Sequence, residues 1–109
     1  MDELTKSATA AFQAKLKPFF DVHQAILFGS RARSTHQAES DADVAVLLRG
    51  KCGNFLDTKF AMDDLAYEVL LDTGVRIQPL PIWMEEWEHP DLYPNPRLLS
   101  NIKTEGLVL

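Results

Sequence analysis

Residues 41 to 48, Asp-Ala-Asp-Val-Ala-Val-Leu-Leu, are apolar on both faces beyond their two aspartates, and this limits the folds open to the chain more than any other feature. Side chains of an extended strand alternate between two sides, so Ala45 and Leu47 share the carboxylate face while Val44, Val46 and Leu48 line the other. Such a strand belongs inside a sheet that is covered on both sides. A helix-only fold or a sheet with one wet face would leave half of this run exposed to water.

The neighbouring segments supply the cover. From Leu4 to Phe20, apolar residues recur at helical spacing (Leu4, Ala8, Ala11, Phe12, Leu16, Phe19), which predicts an amphipathic helix with an end made ragged by Pro18. Gln24 to Phe28 reads as a first strand, followed by a Gly-Ser turn, a short helix from about Arg31 and a polar loop from Thr35 to Ser40. After a turn at Gly50 to Asn54, Leu56 to Leu71 reads as a helix with Phe60, Leu65 and Val69 buried and Asp57, Asp64 and Glu68 solvated. Gly74 closes it as a C-cap. Val75 to Trp83 is a third strand, and because Pro79 and Pro81 both lack N–H donors it must lie at an edge. Met84 to Glu88 makes a helical turn, and Asn95-Pro96 opens a last helix that Gly106 ends. Trp83, Trp87 and Tyr93 read as a small satellite core that packs the C-terminal arm onto the sheet. The expected architecture is an α+β sandwich, a short mixed sheet packed with helices, in one domain over residues 1–109.

At the join of the first two strands the sequence runs Gly29-Ser30, ten further residues, then Asp41-Ala-Asp43, flanked by the apolar runs Ala25 to Phe28 and Val44 to Leu48. A strand that ends in Gly-Ser and turns into a helix offers free N–H groups and a positive dipole end to an anion. Aspartates at i and i+2 lie on one face with roughly 6.5 Å between α-carbons, a spacing at which both carboxylates can hold a hard cation such as Mg²⁺. At background usage, this fixed-spacing pattern arises by chance in about one chain of this length in a thousand. The bland alternative is a solvated loop in which Ser40 and Asp41 cap a turn.

Composition narrows the partners. With 46% hydrophobic residues in 109, there is apolar material for a single core. No run approaches a membrane span, the start Met1-Asp-Glu-Leu is acidic where a secretory signal is basic, and a single cysteine, Cys52, fits a reducing cytoplasm as an incidental loop thiol. A net charge of −5 and a pI near 5.0 argue against holding a long nucleic acid. Positive charge nevertheless gathers near the motif in Arg31, Arg33, Arg49 and Lys51, and Arg31 and Arg33 follow the turn closely enough to reach a triphosphate or a partner. His23, His36 and His89 have no metal-ligand spacing.

The stretch Phe28-Gly-Ser-Arg-Ala-Arg-Ser34, followed by Ser40-Asp-Ala-Asp-Val-Ala-Val46, resembles the signature of the DNA polymerase β-like nucleotidyltransferase superfamily, and the short chain resembles its minimal nucleotidyltransferase group. The resemblance implies that Gly29 and Ser30, with Arg31, Arg33 and Ser40, hold the triphosphate of ATP or another nucleoside triphosphate, and that Asp41 and Asp43 ligate Mg²⁺ and carry catalysis. Two metals in such sites activate the nucleophile and clamp the triphosphate, while the protein positions the reactants. The superfamily adds a third carboxylate on a neighbouring strand. The best-aligned position here is Gln78, whose amide oxygen can ligate a cation but is a poor base. Ser34 stands where related motifs favour glycine.

The expected function is Mg²⁺-dependent transfer of a nucleoside monophosphate, AMP from ATP, onto an acceptor hydroxyl. A chain this short has no second domain to grasp an acceptor, so a partner protein completes the site or is itself the acceptor; homo-oligomers are compatible with this. The resemblance implies a cytoplasmic antitoxin to a HEPN-type ribonuclease. The alternative, favoured by Gln78, is a catalytically weak or inactive nucleotide-binding antitoxin that neutralises its partner by direct binding. An antibiotic-modifying transferase fits less well, because such chains carry an extra substrate domain.

Overall fold

The computed structural model describes residues 1–109, and in it the doubly apolar strand sits inside a four-stranded sheet. The elements run α1 (Glu3–Leu16), β1 (Val22–Phe28), β2 (Ala42–Leu48), α2 (Phe55–Thr73), β3 (Ile77–Trp83), α3 (Met84–Glu88), a 3₁₀ turn (Pro90–Leu92), α4 (Pro96–Glu105) and β4 (Leu107–Val108). Strand order is β3-β2-β1-β4. β1 pairs antiparallel with both β2 and β4, whereas β2 and β3 are parallel. The sheet is therefore mixed, and β3, with its two prolines, is an edge strand.

Each face of β2 feeds its own core. Ala42, Val44, Val46 and Leu48 pack with Phe12 and Leu16 of α1 and with Met62, Ala66 and Val69 of α2. Ala45 and Leu47 pack with Ile26, Ile82, Tyr93 and with Leu99 and Ile102 of α4. The acid face is thus the α4 side of the sheet.

Local chemistry sets the element ends. Asp2 caps α1 by accepting the Thr5 N–H at 2.7 Å, Asn54 caps α2 through the Asp57 N–H at 3.0 Å, and Asn95 with Pro96 opens α4. Gly74, at φ +79°, ends α2 by donating its N–H to the Leu70 carbonyl at 2.8 Å.

Four sequence expectations are revised. The helix expected from Arg31 does not form. The Arg33 and Thr35 N–H groups donate to the Gly29 and Ser30 carbonyls, and Ser34 then enters the left-handed region at φ +58°, which closes the turn instead of propagating it. Phe60 is 60% exposed, because α2 carries apolar residues on more than one side and the stripe that docks on the sheet is Met62, Ala66 and Val69. Trp83, Trp87 and Tyr93 do not form one cluster: strand alternation sends Trp83 to the α2 side, and Trp87 and Tyr93 lie on the α4 side. Finally, Leu107–Val108 adds a short strand against Ile26 and Leu27, extended by the Leu109 N–H donating to the Ala25 carbonyl at 2.9 Å.

Candidate active site

Three strands deliver the site. β1 ends at Phe28, which pairs with Asp43 of β2, so the next residue, Gly29, turns directly over the Asp43 side chain. Gly29 has φ +77°, and a Cβ built on it would overlap the Asp43 carboxylate. Only a glycine fits here on both counts. Parallel pairing sets Gln78 opposite Asp43, and one step earlier the Ala42 N–H donates to the Arg76 carbonyl at 2.8 Å, which aligns Arg76 with Asp41. Asp41, Asp43 and Gln78 consequently share one face. The Gln78 amide Nε2 donates to Asp41 Oδ2 at 3.4 Å, and Arg76 Nε lies 3.8 Å from Asp41 Oδ1.

Electrostatics mark Asp43 as the tense member. Burial, reinforced by the like charge of Asp41 and only partly offset by Arg33, holds its carboxyl above the usual range. Arg33 lies at the rim with its Nη1 3.6 Å from Glu105 Oε2, an exposed pair that a phosphate could replace at little cost.

The remaining sequence candidates fall into different places. Arg31 is 2% exposed, and its guanidinium donates to the Ser40 carbonyl at 2.9 Å, the Thr5 hydroxyl at 2.8 Å and the Ala38 carbonyl at 3.1 Å. It therefore holds the loop into β2 against α1 and is not available to a triphosphate, which corrects the expectation of direct contact. Ser40, half-buried, is engaged within its own loop, its hydroxyl accepting the Gln37 N–H at 3.0 Å. Ser30, half-buried, engages Thr35 through its carbonyl. His36 pairs with Asp2 at 2.7 Å, away from the acids, and Cys52 is exposed.

Two features escaped the sequence reading. One is Arg76, whose place beside Asp41 follows only from the β2–β3 register. The other is a cleft of about 250 Å³ between α2 and β3, lined by Tyr67, Leu70 and, among others, Arg76 and Gln78, the two residues that approach Asp41. Neither has a local sequence signal.

The donors suit one hard cation. Two carboxylates on one face, one of them held up by desolvation and like charge, would be relieved by a divalent ion that keeps waters and accepts phosphate oxygens. No group of three or more His, Cys, Asp or Glu side chains gathers in the structure, so a second ion would have only Gln78 and substrate oxygens to add.

A mixed sheet covered on both faces, with a glycine turn pressed on a paired-acid strand, defines an α+β domain of the nucleotidyltransferase type. A family model described as Polymerase beta, Nucleotidyltransferase matches residues 11–79, which include the turn, both acids and Gln78, and the chain belongs to that family. Domains of this family use nucleoside triphosphates and divalent metals. Among solved structures, the fold is similar to that of a Sulfolobus solfataricus protein provisionally described as a nucleotidyltransferase, with TM-score 0.55, 16% identity, and coverage of 99% of this chain and 87% of the other. No curated protein matches the sequence significantly.

Proposed function

We propose that the protein transfers a nucleoside monophosphate, AMP from ATP with Mg²⁺, to a hydroxyl of a partner protein, and that it serves as the cytoplasmic antitoxin of a HEPN-type toxin. The observation that carries this reading is the contact between the Gly29 backbone and the Asp43 carboxylate, with Asp41 on the same face. It supports a single point where a polyphosphate and a cation meet. Asp41 and Asp43 would hold Mg²⁺, which when bound neutralises triphosphate charge and activates the α-phosphorus. Gly29 and Ser30 supply backbone N–H groups, and Arg33 is placed to leave Glu105 for a phosphate oxygen. The acceptor oxygen bonds to the α-phosphorus, the bond to the bridging oxygen breaks, and pyrophosphate leaves with that electron pair. With Gln78 in place of a third carboxylate, the hydroxyl proton passes to solvent or to a group of the acceptor protein.

Gln78 favours a second reading, a nucleotide-binding antitoxin that neutralises its partner by occupying a surface. Labelled ATP, Mg²⁺ and the protein encoded beside this one separate the two. Label on the neighbour that is lost in Asp41→Ala and Asp43→Ala supports transfer. Inhibition of the neighbour that survives both substitutions, without label, supports binding alone.

A further inference from the structure

Helix α2 carries two apolar stripes, and the structure uses one of them. Met62, Ala66 and Val69 are buried against the sheet, while Leu56, Phe60, Tyr67 and Leu71 are 58, 60, 58 and 67% exposed. At about 100° per residue these four fall within an arc of roughly 60° and run about 23 Å along the axis. Four large apolar side chains aligned in this way form a strip, in two pairs with Asp63 and Asp64 on the turn between them, unlike the scattered single residues common on protein surfaces. We propose that this strip is a docking track for a basic amphipathic helix of a partner protein.

Charge decides the occupant. The helix holds five carboxylates (Asp57, Asp63, Asp64, Glu68, Asp72) against one lysine, Lys59. Asp57, Asp64, Glu68 and Asp72 follow one flank of the strip, and Asp63 lies on the other, paired with Lys59 at 3.1 Å. Lys15 of α1, half-buried, approaches the exposed Glu68 and Asp72 at only 3.9 and 4.0 Å, one cation shared between two carboxylates, which leaves that flank acidic. A second copy of this chain would bring the same acids together, and an anionic membrane surface would repel them. A helix with an apolar face edged by Lys and Arg satisfies both strip and flanks, by the helix-in-groove mode. Tyr67 belongs both to the strip and to the cleft that Arg76 and Gln78 line, so the docked segment passes the mouth of that cleft. The inference deepens the functional reading by placing its protein partner, yet its test uses no nucleotide, so either can fail alone.

The probe is a fluorescein-labelled amphipathic peptide long enough to span the strip, with leucines on one face and lysines on its flanks; a control carries glutamate for lysine. Anisotropy titrations with the whole chain are expected to show binding of the basic peptide only, weakened by salt and at least ~10-fold by Phe60→Ser with Leu71→Ser. Both positions are exposed, and a thermal melt checks that the variant stays folded. Asp64→Lys with Glu68→Lys, which leaves the strip intact, is expected to weaken the basic peptide and admit the acidic one. Equal binding to the serine variant, equal binding of both peptides to the natural chain, or a sedimenting dimer dissolved by the serine substitutions would overturn the proposal.

Discussion

Gly29→Ala tests the convergence of loop and acids without any ligand. The substitution meets two obstacles: a backbone at φ +77° and an overlap of the new methyl group with the Asp43 carboxylate. The left-handed backbone costs an L-residue about 1–2 kcal/mol, and the smaller freedom of unfolded alanine offsets about 0.4–1 kcal/mol of that. Pushing Asp43 off its rotamer adds about 0.5–1.5 kcal/mol. The sum is a loss of roughly 1–3 kcal/mol, or of order 10 °C in Tm for a domain of this size. Gly74 isolates the first part, because it has φ +79° with nothing within 4 Å of its Cβ position. In an Asp43→Ala background the second part should vanish, since the nearest remaining atom, the residue 43 Cβ, lies at an ordinary 3.7 Å. Urea melts followed by tryptophan fluorescence on Gly29→Ala, Asp43→Ala, the double variant and Gly74→Ala give the coupling directly, expected at about 1 kcal/mol. If Gly29→Ala costs the same with and without the carboxylate, or no more than Gly74→Ala, the glycine does not press on the acid and the site as described is wrong.

Two further perturbations probe the surroundings. Asp43 has a native pKa raised above its ordinary 3.8, so its contribution to stability is fully present below that value and is lost as pH rises through the raised one. Asp43→Asn, neutral throughout, should therefore melt higher than the natural chain at pH 7, with the gap closing toward about pH 4; a gap that stays constant over this range contradicts the assigned cause. Arg31→Lys should lose about 2–3 kcal/mol in urea melts, because an ammonium cannot reproduce the buried fork to Thr5, Ala38 and Ser40. A change within about 0.5 kcal/mol is what an exposed side chain would give, and would remove Arg31 from the role of tying the loop to α1.

What could be read in advance was whatever local chemistry decides. The double-sided burial of β2, the caps Gly74 and Asn95-Pro96, and the edge character of β3 each depend on a few adjacent residues, and all are present. The readings that failed depend on distant partners. Arg31 is turned inward by Thr5, 26 positions away, and β4 consists of two exposed residues that acquire strand geometry only from β1. Phe60, read as buried, lies outward, because a helix with two apolar stripes does not say which of them meets the sheet.

The site itself stands between these cases. Its acids are a local motif, but their neighbours Arg76 and Gln78 reach them through strand register, and a one-residue slip of β3 would exchange its faces and set Ile77 or Pro79 beside Asp43. The prolines oppose that slip. Val44 pairs with Pro79 and Val46 with Pro81, and moving β3 by one residue would turn the positions lacking donors from the open edge toward β2, costing ladder hydrogen bonds along half the strand. The residues that mark β3 as an edge therefore also keep Gln78 within reach of Asp41. Register, more than the identity of any one side chain, is what makes a turn, two aspartates and an amide into one site.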